Sequence, residues 1–148
     1  MVYKLYLETV IQDGEIAWSY AFYNHQDFMV YKRYGKSETT DLSRTILTVS
    51  ATALKYFEGS IRRRYYDEHF STRIDEDYVT LYSHYPEMEN VAKKYKTEGS
   101  IDFAKENKDL WEELVPFFKQ RTMDFESATD EKFINQGTTL ALKAFETK

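Results

Sequence analysis

The sequence predicts a single α/β domain. Three observations predict it: a first third of β-branched and aromatic residues broken by turn signals, a change to helical spacing after residue 41, and strand-like and helix-like segments that alternate to the end. At 148 residues the chain can bury one core but is short for two, so residues 1–148 are expected to form one domain.

The elements follow in order. Val2 to Val10 is rich in β-branched and aromatic residues, with partial alternation at Tyr3, Leu5 and Leu7, and Asp13-Gly14 is a hairpin-type turn. Ile16 to Asn24 and Phe28 to Tyr34 are two further strands, separated by His25-Gln26-Asp27 and closed by Gly35-Lys36, which gives an antiparallel meander. Leu42, Ile46, Val49, Ala53 and Phe57 then recur at spacings of three and four and so share one helix face. Thr39, Thr40 or Asp41 can cap that helix, and Gly59 is expected to end it.

Residues 60 to 76 read as a polar connection containing Arg62-Arg63-Arg64-Tyr65-Tyr66. Tyr78 to Ser83 is a short strand, and Pro86 opens a helix over Glu87 to Tyr95. After a loop with Gly99, Asn107 is a cap candidate for a helix over Lys108 to Leu114, which Pro116 is expected to kink or shorten. Thr122 to Ser127 alternates as a strand. Lys132 to Phe145 is a terminal helix carrying Ile134, Leu140, Ala141, Ala144 and Phe145. No internal repeat or low-complexity tract is present.

Composition narrows the function. Apolar residues make up 42%, charged residues 30%, and there are five Gly and two Pro, the profile of a folded protein rather than a linker. Aromatic residues reach 17%, with 13 Tyr, which suits a contact surface as well as a core and is compatible with a homodimer. The absence of cysteine removes disulfides and thiolate chemistry and fits a cytoplasmic protein. No leader segment or membrane-length apolar run is found, so no membrane partner is expected. A net charge of −5 opposes non-specific nucleic-acid binding, so any such binding must come from a local patch. Nucleophile elbows, phosphate-cradling Gly loops and His-Glu-x-x-His pairs do not occur.

Several stretches resemble the ribonuclease H family. Thr39-Thr40-Asp41 followed by Thr45-Ile46-Leu47 is similar to the start of that family's first helix, and Val79 to Tyr85 to its fourth strand. Asn107 to Leu114 resembles the helix before the fifth strand, and Gly137 to Ala144 the last helix. The matches span roughly residues 3 to 145. The resemblance implies a mixed five-stranded sheet, three strands antiparallel and two added in parallel, with helices on both faces.

It also implies a site. Members cut the RNA strand of an RNA–DNA hybrid with two divalent metals held by four carboxylates, because both ions must polarise one phosphate. In this sequence the four positions fall on Glu8, Thr45, His84 and Thr138, so one acid survives. The glycine after the first acid is Thr9, the first turn is shortened to Val10 through Glu15, and the loop before the last helix, Ser127-Ala128-Thr129-Asp130, lacks the histidine that many members carry. Magnesium wants oxygen ligands, so these losses remove a site rather than retune it.

No catalytic residue and no cofactor are therefore expected. The chain reads as a pseudoenzyme, a binding module for a protein or a nucleic acid. The alternative is a divergent magnesium- or manganese-dependent nuclease with relocated acids, Glu8 with Asp13, Asp41 or Glu87.

Each candidate has a plain structural reading beside the functional one. Glu8 reads as an ordinary acid at a strand end, and His84 as a hydrogen-bonding histidine, although the two together could ligate zinc or manganese. Arg62, Arg63 and Arg64 beside Tyr65 join phosphate-gripping groups to a stacking surface, yet Asp67, Glu68, Asp75, Glu76 and Asp77 follow closely. Lys93, Lys94 and Lys96 form a second basic cluster, in the region of the family's substrate handle, or a solvated face. Trp111, Leu114, Phe117 and Phe118 are expected in the core.

Overall fold

A computed structural model of the chain describes residues 2–61, 77–102 and 104–146. Strands β1 (Val2–Gln12), β2 (Glu15–Tyr23) and β3 (Met29–Lys36) are followed by helix α1 (Leu42–Tyr56) and a π-helical turn, Phe57–Ile61. Next come β4 (Tyr78–Ser83), α2 (Pro86–Glu98), α3 (Lys108–Phe118), β5 (Met123–Ser127) and α4 (Glu131–Glu146). The five strands form one sheet in the order β3-β2-β1-β4-β5. The first three pair antiparallel, while β4 runs parallel to β1 and β5 parallel to β4.

Local chemistry explains most boundaries. Asp13 and Gly14 both adopt positive φ, +50° and +78°, the geometry that lets a two-residue turn follow the twist of β1 and β2. Of the three cap candidates for α1, Asp41 is the one used: its carboxylate accepts from the Arg44 backbone N–H at 3.1 Å. Gly99, at φ +75°, ends α2.

Three expectations need correction. Gly59 does not end the helix, because the chain widens into the π-helical turn that runs past it and buries Phe57. Pro116 does not shorten α3, which continues to Phe118; near a C-terminus the ring costs one backbone hydrogen bond, while Phe117 and Phe118 are both buried beyond it. Asn107 is the N-cap residue of α3 as expected, but it makes no side-chain capping bond; its Oδ1 accepts from Arg44 Nη1 at 3.0 Å and ties α3 to α1. In addition, β3 runs through Gly35 and Lys36, which pair with Trp18 and Ala17.

Alternation along the strands divides the core. Tyr3, Leu5, Leu7, Tyr20, Phe22, Val79, Leu81 and Phe125 face α1, α2 and α3, where Trp111, Leu114, Phe117 and Phe118 are buried as expected. On the opposite face Tyr6, Ala17, Ala21 and Tyr23 meet Phe133, Leu140, Ala141 and Ala144 of α4. Leu5, Leu47, Leu54 and Leu81 are fully buried, each stabilising the fold by about 1.5–3 kcal/mol. Part of the tyrosine content is internal, since Tyr3, Tyr6, Tyr20 and Tyr23 are buried. Tyr6 stacks between Tyr82 and Phe133 at 4.6 and 4.8 Å, so aromatic area that could serve binding serves packing instead.

No helix among the described residues is long and apolar enough to cross a membrane.

Candidate functional site

The site begins with strand register. Parallel pairing of β1 with β4 matches Tyr6 to Tyr82, and both chains continue two residues further, which brings Glu8 and His84 side by side on the same face of the sheet. His84 Nε2 lies 2.9 Å from Glu8 Oε1 and 2.8 Å from Oε2. Glu8 is therefore not an acid at a strand end. It sits inside β1, 3% exposed, opposite Ser19 of β2.

Helix α4 closes the site from above. Ser19 Oγ donates to the Gly137 carbonyl at 2.7 Å, and a Cβ at Gly137 would stand 2.5 Å from Glu8 Cγ. Any larger residue would collide with the acid, so the glycine is what lets the helix backbone rest on Glu8. Next to it, the Tyr23 hydroxyl donates to Gln136 Oε1 at 2.7 Å. Burial pushes the Glu8 carboxyl up to about 7, although the charge of His84 and its hydrogen bond both pull the other way. Burial likewise raises Tyr23 to about 12, so its hydroxyl acts as a neutral donor across the physiological range.

The two threonines at the remaining positions are turned to local work. Thr45 Oγ1 donates to the Asp41 carbonyl at 3.0 Å and shares a hydrogen bond of 2.7 Å with Ser37 Oγ, which joins the start of α1 to the end of β3. Thr45 also lines a cavity of about 470 Å³ with Trp18, Lys36, Thr48 and Thr52. Thr138 Oγ1 donates to the Ile134 carbonyl one turn earlier in α4, at 2.9 Å. So the fold brings Glu8 and His84 together and packs the residue next to Thr138 onto Glu8, while Thr45 bonds elsewhere.

That donor set does not fit a pair of magnesium ions. Hard cations need several oxygen ligands, and here a single carboxylate is buried against an imidazole while both threonine hydroxyls are already engaged. Among the described residues no group of three or more His, Cys, Asp or Glu side chains is placed to hold a metal ion. The relocated acids do not assemble with Glu8 either: Asp13 is in the β1–β2 turn, Asp41 caps α1, and Glu87 is in the first turn of α2.

The architecture is matched by solved structures. The ribonuclease H1 of Halobacterium salinarum NRC-1 superposes with a TM-score of 0.61 at 11% identity, over 100% of both chains. LC11 ribonuclease H1, isolated from compost and solved with an RNA/DNA hybrid, gives 0.67 at 11% identity over 97% of this chain and 96% of that one. A foamy viral protease-reverse transcriptase bound to double-stranded DNA gives 0.69 at 9% identity over 99% and 94%. The fold is that of ribonuclease H. No protein-family model and no curated protein matches the sequence significantly, so the likeness is one of fold.

For this ribonuclease H-like chain the basic candidates divide. Arg62, Arg63, Arg64 and Tyr65 lie outside the described residues. Lys93 is engaged by Glu89 at 2.8 Å and Lys96 by Asp124 at 3.6 Å, and Lys94 also has an interaction partner.

Sequence reasoning missed Ser19 and Gly137. A signal existed for the second, because a glycine in the middle of an otherwise well-formed helix costs about 1 kcal/mol relative to alanine and usually marks a close approach.

Proposed function

We propose that this chain is a non-catalytic ribonuclease H-like domain that works as a binding module for a protein or a nucleic acid. The observation that supports it is the closure of Glu8: the one acid left at the family's ligand positions is held by His84 on one side and roofed by Gly137 on the other. A carboxylate that must coordinate magnesium has to present ionised oxygens to solvent-exchanging ions. Here both oxygens face one imidazole nitrogen, and burial favours the protonated form.

The test is direct. Pure protein incubated with a labelled RNA–DNA hybrid and magnesium or manganese is expected to leave the hybrid intact. Cleavage that disappears in Glu8→Ala overturns the reading. The partner class is decided by binding of the uncut hybrid, compared with a variant in which Arg62, Arg63 and Arg64 are all alanine. A salt-sensitive interaction lost in that variant identifies a nucleic-acid module; no salt-sensitive binding leaves a protein partner.

A further inference from the structure

The outer edge of β3 is the most conspicuous unpartnered surface of the described residues. The strand ends the sheet and pairs only with β2, so half of its backbone N–H and C=O groups are left without a strand neighbour. It is eight residues long and is flanked by apolar side chains: Phe28 is 66% exposed and Val30 48%, with Met29 and Tyr34 exposed as well. Edges of this kind are usually shortened or covered, because they template pairing with another chain.

The chemistry of the edge specifies what it can pair with. Exposed Lys32 and Arg33 stand at its centre, and neither forms an ion pair with a described residue. The chain as a whole is acidic, at −5, so this edge opposes the net charge of its own protein. Two copies meeting edge to edge would crowd four cations into one short ladder, which disfavours a homodimer here. An acidic strand would be drawn in.

Side-chain grooves refine the match. Between β3 and α4 lies a depression of about 320 Å³ lined by Met29, Asn135, Gln136, Thr139 and Leu140, and further along the same edge a second of about 270 Å³ lined by Tyr34, Gly35, Lys36 and Ala144. Both open on the α4 face, the face to which Lys32 also points, since it pairs with Ala21. In an added strand, residues two apart share a face and are separated by about 6.7 Å. Lys32 thus stands between one depression floored by Met29 and Leu140 and another that joins Tyr34 and Ala144 to Lys36, an order that matches one acid between two apolar residues.

We propose that β3 accepts an extended segment of a partner protein as a sixth strand, through the pattern apolar–x–acidic–x–apolar, with the acid at Lys32 and the apolar side chains in the two grooves. Main-chain hydrogen bonds supply the affinity and the alternate side chains the selectivity. The inference deepens the binding-module reading and rests on it, because it gives that module a surface and a class of ligand.

The probe is a fluorescein-labelled octapeptide in which a glutamate is flanked, two residues away on each side, by valines. Its counterpart carries lysine in place of glutamate. Wild-type protein is expected to bind the glutamate peptide at least about tenfold more tightly, since like charges across an interface are strongly penalised. Hydrogen exchange at β3 amides should slow on binding. The double variant Lys32→Glu, Arg33→Glu should reverse the preference, an outcome that only a folded protein can give.

Equal binding of both peptides, binding of neither, or a dimer in sedimentation that the double variant breaks would each overturn the proposal. A failed peptide beside an uncut hybrid removes this surface and leaves the binding-module reading. A cut hybrid overturns that reading whatever the peptide does.

Discussion

His84 Nε2 stands within 2.9 Å of both carboxylate oxygens of Glu8, and it reaches them because β4 runs parallel to β1 in a register that carries the two residues past Tyr6 and Tyr82 to the same level. At this level of the sheet the chain gathers one acid and one imidazole. The consequences can be measured.

The first concerns pH. An unfolded glutamate titrates near 4.5, and in the fold the Glu8 carboxyl is pushed up to about 7 by burial. The folded protein thus keeps a proton that the unfolded chain releases between those values. Stability from this group is fully present below pH 4.5 and declines as pH rises towards 7, by on the order of 3 kcal/mol. The difference in denaturation free energy between wild type and Glu8→Gln, followed from pH 4 to 8, should reproduce that slope. A difference independent of pH would refute it.

Removing the histidine should move the window. His84 lowers the Glu8 value by its charge and by its hydrogen bond, so His84→Ala is expected to shift the carboxyl further upward. NMR titration of the Glu8 side-chain carbon reads this shift directly. Loss of the bond should also destabilise the fold by about 1–2 kcal/mol near neutral pH.

Gly137→Ala tests the roof. In an ordinary helix interior the change stabilises by about 1 kcal/mol. At this position the new Cβ would meet Glu8 Cγ at 2.5 Å, so we expect a net loss of about 1–3 kcal/mol from overpacking. The same substitution made in a Glu8→Ala background should cost clearly less, since only the 3.2 Å approach to the residue 8 Cβ then remains, and thermal melts of the four proteins complete the cycle.

The clamp between α1 and α3 should behave differently. Arg44 grips Asp109 with both terminal nitrogens, at 3.3 and 3.0 Å, and this holds the Asp109 carboxyl below its ordinary range. Because the pair is solvent-facing, Arg44→Ala should lower the melting temperature only slightly, with the difference vanishing in molar salt. A large, salt-resistant loss would show that the bond to Asn107 Oδ1 carries more of the clamp than the ion pair.

Legibility from sequence followed the range of the interactions involved. The β1–β2 turn, the Asp41 cap and the buried face of α1 were readable because each depends on residues within a turn of one another. Pro116 did not shorten its helix and Gly59 did not end its own, because tertiary burial of Phe118 and Phe57 outweighed the local preference to stop. Among the site residues, the types at positions 8, 45, 84 and 138 could be read, but not their partners. Thr45 answers to Ser37 and Asp41, Thr138 to Ile134, and Glu8 to a histidine 76 residues away.

The sequence by itself determined the order of the elements, the apolar faces of β1 and α1, and the burial of Trp111, Leu114, Phe117 and Phe118. Periodicity and residue identity are local properties, and they suffice for those statements. Only the tertiary structure decided that Glu8 is buried rather than terminal, that Gly137 roofs it, and that β3 is left as an open basic edge. Those facts depend on strand register and on which element covers which, and both are set by contacts between residues far apart in the chain.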